Sequence, residues 1–226
     1  MKKINALMLG AMALLLASCK SESSVKMFRF VYPDGQKKQI FADMQEDSLH
    51  LYSSMDWEAI SEVTWIKLDP NNHSFKVPSG YIAHNKTIPV YFDQNKTNET
   101  REGCIAILGT DWDPKQSYKQ VTWLDVRLPS GIIKEGSSVP TFEVKDSAHV
   151  TLDSVKFHIN DKEGATIASN KEWVRPEKMI FTKGLNKTNI VMDPNTTGEN
   201  RTAELLLKTK GGCETIILVT QTNLKK

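Results

Sequence analysis

Catalytic chemistry needs acids, bases or nucleophiles at defined spacings, and this sequence of 226 residues offers few of them. No two histidines have the i, i+4 spacing of a helical zinc site and no His-Glu-x-x-His motif occurs; the five are His50, His73, His84, His149 and His158. No Gly-x-Ser-x-Gly nucleophile elbow is present. The sequence therefore predicts no enzyme activity, no catalytic residue, no metal site and no cofactor.

One acidic pair has a spacing that calcium ligands can take. Asp111 and Asp113 flank Trp112 and precede Pro114, but no EF-hand spacing follows them. Because Asp and Pro both favour turns, we interpret this segment as a turn.

Exposed aromatic side chains offer a different chemistry, since the C–H faces of sugars stack on rings. Trp112 lies in a polar stretch over residues 110–117, with Tyr118 and Trp123 close behind it. An aromatic residue on a loop is a candidate ligand contact. We therefore predict that Trp112, Tyr118 and Trp123 contact a glycan; the alternative is that Trp112 folds back and caps the core.

Other aromatic and sulfur side chains are predicted to be structural. Trp65 and Trp173 head equivalent segments and are expected in the core, as Trp57 is. Cys104 and Cys213 are expected to be buried thiols, because one pair is not a disulfide framework.

Residues 1–18 have the three parts of a secretory signal peptide: a basic start, an apolar run and a small-residue end. The end, Leu16-Ala17-Ser18-Cys19, resembles the bacterial lipobox. The pattern predicts lipid modification of Cys19 and a short tether over residues 19–24. A plain signal peptide or a short buried helix is the alternative.

The charge of the predicted mature chain is balanced. The whole sequence carries 29 basic and 27 acidic residues, and removal of Lys2 and Lys3 leaves 27 of each. A neutral chain has no basic excess with which to neutralise phosphates, so nucleic acid is excluded as a partner. Attachment to a membrane then depends on the lipid at Cys19.

The elements that must position these residues are β-strands. Val155, Phe157 and Ile159 alternate with polar neighbours, and so do the apolar residues of 201–209. After the signal peptide no segment shows a sustained helical period. Short strands between turn residues predict an all-β protein built from sandwiches.

The chain also repeats itself. Residues 50–65 align without a gap on residues 158–173, and Asn95, Thr97, Glu99 and Arg101 align on Asn195, Thr197, Glu199 and Arg201. A period near 100 residues is too long for a solenoid and fits two tandem domains. Pro and Gly-Ser composition marks a linker near 127–139, so we predict a first domain over 25–127 and a second over 138–224.

Three motifs resemble those of one family, the BACON domains. They are Ser53-Ser54-Met55-Asp56-Trp57 followed by Thr64-Trp65-Ile66, the run from Asn195 to Arg201, and Val219-Thr220-Gln221. The first copy has Trp123 where this alignment places Gln221, and the second has Ala165 in place of Trp57. The resemblance implies tandem immunoglobulin-like β-sandwiches of the kind found in secreted and surface proteins of Bacteroides-type bacteria, with a role in carbohydrate handling.

The sequence thus predicts a non-catalytic, lipid-anchored protein of the cell envelope that binds glycan or presents a glycan-handling system. The alternative is a structural spacer or assembly partner of other envelope proteins, with no ligand of its own. The predicted membrane is the outer membrane, and the sequence leaves open whether the protein lies on its surface or its periplasmic face.

Overall fold

The computed structural model describes residues 26–78, 82–110, 114–127, 141–144 and 150–223. Eighteen β-strands lie within these residues, and no helix does. The prediction of an all-β fold is confirmed.

The first nine strands form two facing sheets, one of four strands and one of five. Their bounds are β1 (Phe28–Tyr32), β2 (Lys38–Ile40), β3 (Glu46–Ser53), β4 (Trp57–Ser61), β5 (Ile66–Leu68), β6 (Ser74–Phe75), β7 (His84–Phe92), β8 (Arg101–Leu108) and β9 (Lys115–Gln120). The sheet orders are β1-β3-β7-β5 and β2-β9-β8-β4-β6. All pairings are antiparallel except that of β2 with β9.

The remaining nine strands repeat this arrangement. They are β10 (Asp125–Arg127), β11 (Thr141–Val144), β12 (Val150–Ile159), β13 (Ala165–Ser169), β14 (Val174–Pro176), β15 (Ile180–Phe181), β16 (Gly184–Met192), β17 (Arg201–Thr209) and β18 (Glu214–Gln221). The sheet orders are β10-β12-β16-β14 and β11-β18-β17-β13-β15, with β11 parallel to β18.

Each pair of sheets encloses its own apolar core, because side chains alternate between the two faces of a strand. In β12, Val155, Phe157 and Ile159 are buried while Lys156 is exposed. In the first pair of sheets, Ile105 and Ile107 of β8 are fully buried. The two clusters of buried side chains make each pair of sheets a β-sandwich.

The division between the sandwiches falls earlier than the sequence suggested. Strand β10, which the composition placed at the end of the first domain, pairs with β12 of the second. The chain therefore crosses between sandwiches within residues 121–124, ahead of the stretch at 127–139. Linker composition is a local signal, whereas this crossing is decided by which strand offers hydrogen bonds to β10.

The repeated Asn-x-Thr-x-Glu-x-Arg stretch has the same structure in both sandwiches. The Asn95 amide donates to the Glu99 carbonyl at 3.0 Å, and the Thr97 hydroxyl donates to Asn95 Oδ1 at 2.7 Å. Asn195 and Thr197 make the equivalent bonds at 2.8 and 2.7 Å. The loop residues that repeat in the sequence thus satisfy backbone groups where one strand gives way to the next.

The arginine that closes this stretch is fixed by a glutamine and a tryptophan. Arg201 Nε donates to Gln221 Oε1 at 2.8 Å, and its guanidinium lies 4.2 Å from the centre of the Trp173 ring. Arg101 makes the same contacts with Gln120, at 2.8 Å, and with Trp65, at 4.6 Å.

Gln120 is therefore the counterpart of Gln221, and the alignment that placed Trp123 at this position was wrong. Both glutamines are fully buried and lie opposite their arginine in the strand register. Trp123 lies beyond the end of β9, where the chain leaves the first sandwich.

Candidate functional site

The two sandwiches meet in an interface that contains a buried carboxylate. Asp43, just after β2, is fully buried and accepts hydrogen bonds from the Asn160 backbone N–H at 2.7 Å and from the Asn160 side-chain amide at 3.0 Å. Burial raises the pKa of Asp43 more than these hydrogen bonds lower it. Ala42 beside it packs into the core of the second sandwich.

A second carboxylate reaches across the interface from the other side. Asp161 accepts hydrogen bonds from the Gln94 side-chain amide at 3.0 Å and from the Gly211 N–H at 2.7 Å. Burial alone would raise the pKa of Asp161, but these bonds and the one from the Glu163 N–H outweigh it and leave the pKa below its ordinary value. Any Cβ at Gly211 would overlap the Gln94 amide and the Asp161 carboxylate.

A thiol completes this interface. Cys213 is buried, and its Sγ lies 3.5 Å from the Ala42 carbonyl and 3.7 Å from the Asn95 carbonyl, which share its single proton. Burial raises the pKa of Cys213 to about 11, so the thiol keeps its proton at neutral pH. Cys213 acts here as a small apolar group with a weak donor.

A cleft of about 400 Å³ opens beside this interface. Its floor contains buried groups and its rim is exposed and polar; the lining residues are Asn95, Lys96, Thr97, Asn98, Thr122, Trp123, Gly212, Cys213, Glu214, Thr215 and Ile216. Volumes of about 300–1,000 Å³ are typical of small-molecule sites. This cleft is the candidate binding site.

The walls of the cleft are held from both sandwiches. Asn95 is 1 % exposed, and its amide nitrogen lies 3.3 Å from the Gln120 carbonyl and 3.2 Å from the Val121 carbonyl. On the facing wall, Thr215 Oγ1 accepts a hydrogen bond from the Leu124 N–H at 2.8 Å. Both walls are therefore tied to residues 120–124, the segment that carries Trp123.

Of the predicted glycan contacts that fall within the described residues, Trp123 lines the cleft and Tyr118 does not. Trp123 is half-buried. Its carbonyl accepts a hydrogen bond from the Ala42 N–H at 3.0 Å, which fixes the backbone beneath the ring. The exposed rim carries an ammonium at Lys96 and a carboxylate at Glu214, so Trp123 lies beside groups that donate and accept hydrogen bonds.

Tyr118 was wrongly predicted as a ligand contact. It is fully buried, and its ring lies 5.0 Å from that of Phe92 in an edge-on arrangement. Its hydroxyl reaches Asp47 Oδ2 at 3.4 Å, and burial raises its pKa. Tyr118 is a core residue with no face open to a ligand.

Trp112 and Cys19 lie outside the described residues. Their predicted roles, as a glycan contact and as the lipidation site, remain predictions.

The tryptophans predicted as structural are indeed packed in the cores. Trp57 and Trp65 are 4 % and 8 % exposed, and Trp173 packs against the second core. Cys104 and Cys213 are free thiols, and Cys213 is buried as predicted. The prediction was wrong for Cys104, which is half-buried because its Sγ lies 2.9 Å from the exposed Glu62 carboxylate.

Sequence reasoning did not assemble the cleft, although it noticed parts of it. The Asn95–Thr97 stretch was identified as part of a repeat, but Gly212, 115 positions beyond Thr97, was not connected with it. Their proximity depends on how the two sandwiches pack.

Two further properties bear on chemistry. Among the residues that the structure describes, no three His, Cys, Asp or Glu side chains gather as a metal-binding group. Nor do these described residues contain a helix that is long and apolar enough to cross a membrane.

Part of the second sandwich carries a family signature. Residues 163–222 match the BACON family. The family model is described as "Putative binding domain, N-terminal" and covers about a quarter of the chain, from the turn before β13 to just beyond β18. The BACON resemblance inferred from the sequence is confirmed for this segment, which holds Arg201, Gln221 and Trp173.

Solved structures with similar strand arrangements include a Bacteroides ovatus GH5 xyloglucanase bound to a XXXG heptasaccharide, at 20% identity and a TM-score of 0.30. That alignment covers 40% of this chain and 18% of the xyloglucanase, so the chain spans a small part of that enzyme. The titin domains I67–I69 align over 88% of this chain and 66% of theirs, at 9% identity and a TM-score of 0.31.

The DIP-gamma IG1+IG2 pair aligns over 89% of this chain and 97% of its own, at 8% identity and a TM-score of 0.29. Likeness at these levels carries no argument about function. No curated protein sequence matches the chain.

Proposed function

We propose that this chain is a non-catalytic glycan-binding protein of the cell envelope, held at the outer membrane by lipid on Cys19. The observation that carries the proposal is the cleft between the sandwiches, where the half-buried Trp123 lies among polar groups. The match of residues 163–222 to a family described as a binding domain supports it.

The cleft suits a sugar better than an apolar ligand. A sugar ring offers C–H faces to an aromatic ring and hydroxyls to nearby donors and acceptors, and the rim supplies Lys96, Asn98 and Glu214. Few rim positions are apolar; Ile216, at 38 % exposure, is the main one. The bound sugar would lie against Trp123. Its hydroxyls would lose hydrogen bonds to water and form hydrogen bonds to the residues of the rim.

A glycan array with the chain lacking its predicted signal peptide tests the proposal, followed by calorimetry on any glycan that binds. Trp123→Ala is expected to weaken binding at least tenfold, whereas Trp123→Phe keeps a stacking surface and should lose less. Tyr91→Ala removes a 43 % exposed aromatic side chain outside the cleft and serves as the matched control. Binding that survives Trp123→Ala unchanged, or an array with no bound glycan, would reject the cleft as a glycan site.

The second candidate function is a rigid spacer or assembly partner for other envelope proteins. The interface favours it, because Asp43 with Asn160, Asp161 with Gln94, and Ala42 in the second core hold the sandwiches in one orientation. A spacer has no need of Trp123. Stoichiometric recovery of partner proteins from membranes, unaffected by Trp123→Ala, would favour the spacer over the glycan-binding protein.

A further inference from the structure

Three basic residues lie side by side on the outer face of the second sandwich. In the strand register, Arg127 of β10 faces Lys156 of β12, and Lys156 faces Lys187 of β16. All three are exposed, while Val126 and Phe157 on the opposite face of the sheet are buried. The side chains therefore form one row that crosses three strands on the solvent face.

This row concentrates positive charge. Neighbouring strands lie about 4.8 Å apart, so the three backbone positions span about 10 Å. Like charges directly opposite one another on a sheet are destabilising. Arg127 has a partner in Asp125, at 3.3 Å on its own strand, but among the described residues no ion pair is made by Lys156 or Lys187.

The first sandwich shows that the fold does not require charge at this crossing. There Thr87 holds the position of Lys187, since the Pro89 and Asn189 carbonyls two residues further on accept equivalent bonds from the Asp69 and Glu177 N–H groups, and Thr87 faces His50. The same strand pairing is thus built with no lysine in one copy and with two facing lysines in the other. A ligand explains the charged pair better than the architecture does.

We propose that Arg127, Lys156 and Lys187 form a binding site for an anionic polysaccharide, one that carries sulfate or carboxylate groups. A linear polyanion carries its charges along a line. The row is only one residue wide, because the next residues on the same face of β10 and β12 are Asp125 and His158. A bilayer would need a broader cationic face. The mature chain is neutral overall, so the attraction is local to this row. The row shares no residue with the cleft. It rests on the proposed function in one respect, that the anionic polymer is a glycan.

Dextran sulfate and uncharged dextran are a matched pair of probes for the chain lacking its predicted signal peptide. We expect dextran sulfate to bind, dextran not to bind at this site, and the double variant Lys156→Gln/Lys187→Gln to weaken binding at least tenfold at low salt, with a shallower salt dependence. The control Lys171→Gln/Lys210→Gln removes the same charge from exposed positions outside the row. Equal losses in the two double variants would overturn the proposal, because charge alone would then explain binding.

Two further measurements keep the result interpretable. The unfolding temperature of Lys156→Gln/Lys187→Gln should stay unchanged or rise, because like-charge repulsion is relieved, so lost binding cannot be ascribed to unfolding. Vesicles of anionic phospholipid should bind no better than neutral ones; binding to vesicles but not to dextran sulfate would overturn the proposal. Trp123→Ala should leave dextran sulfate binding intact, so failure of the cleft and failure of the row are distinguishable.

Discussion

Asp43 of the first sandwich accepts two hydrogen bonds from Asn160 of the second, one from its backbone N–H at 2.7 Å and one from its side chain at 3.0 Å. The two residues are 117 positions apart in the chain, and the carboxylate is fully buried. A carboxylate with two donors in such a place couples the folding of one sandwich to that of the other.

Replacing Asp43 by Ala should loosen this coupling. Both Asn160 donors would lose their acceptor in a buried site, which costs about 1–3 kcal/mol of unfolding free energy. Denaturant unfolding would measure the loss, and small-angle scattering would show a wider spread of domain orientations. Asp34→Ala, in an exposed turn, is the control and should change neither result. If Asp43→Ala had the same stability and the same scattering as wild type, the contact would not hold the sandwiches together.

On acidification, the contributions of Asp43 and Asp161 to the free energy of unfolding should change in opposite directions. The pKa of Asp43 is raised above its ordinary 3.8, so between that value and its folded pKa the folded state binds the extra proton. The stability that wild type holds relative to Asp43→Asn should therefore increase on acidification from pH 7. The pKa of Asp161 is lowered, so its contribution is present above 3.8 and is lost as pH falls through the folded pKa.

Denaturant unfolding of wild type, Asp43→Asn and Asp161→Asn over a pH series measures both effects. The stability difference for Asp161→Asn should shrink as the pH falls below 3.8. If the two stability differences changed in the same direction on acidification, this assignment would be wrong.

Gly211→Ala should also weaken the interface. The new methyl group would overlap the Gln94 amide and the Asp161 carboxylate, which must move and give up the hydrogen bond between them. We expect a loss of about 0.5–1.5 kcal/mol, the net contribution of a hydrogen bond, because both overlapping groups are ends of side chains that can move. Adding Gln94→Ala should recover part of it by removing one of the overlapping groups. Gly198→Ala is a useful reference, since its Cβ would meet open space and only backbone strain would change. A Gly211→Ala protein as stable as wild type would show that the interface has more room than the structure indicates.

Tyr118 should behave as a core residue in every assay. Tyr118→Ala is expected to cost about 3–5 kcal/mol, because it leaves a cavity beside Phe92. Tyr118→Phe keeps the ring and loses only the long contact with Asp47, so its stability should be close to that of wild type. Thermal and denaturant unfolding would measure both variants. Glycan binding lost in a stably folded Tyr118→Phe would return Tyr118 to the binding site.

The misplacement of Tyr118 has a physical reason. The buried face of β9 consists of Gln116, Tyr118 and Gln120, so no apolar alternation marks it in the sequence. The two glutamines are buried because partners satisfy them: Gln116 Oε1 accepts from the Gly35 N–H at 2.9 Å, and Gln120 Oε1 accepts from Arg101. Hydrogen bonds to distant residues cannot be inferred from a local pattern.

Local and repeated features were determined by the sequence alone. Alternation defined β12, because its side chains must divide between core and solvent, and the repeat from Asn95 to Arg101 identified two equivalent structures. These features depend on neighbours within a strand or within a loop of a few residues. The motifs that resemble the BACON family are of the same kind.

Tertiary structure alone decided everything that lies between the sandwiches. It assigned β10 to the second sandwich, brought Asp43 to Asn160 and opened the cleft at Trp123. It also aligned Arg127, Lys156 and Lys187, which sequence separations of 29 and 31 residues conceal. Strand pairing and domain packing set these neighbours, because each contact is chosen by the three-dimensional partner that satisfies it and not by position along the chain.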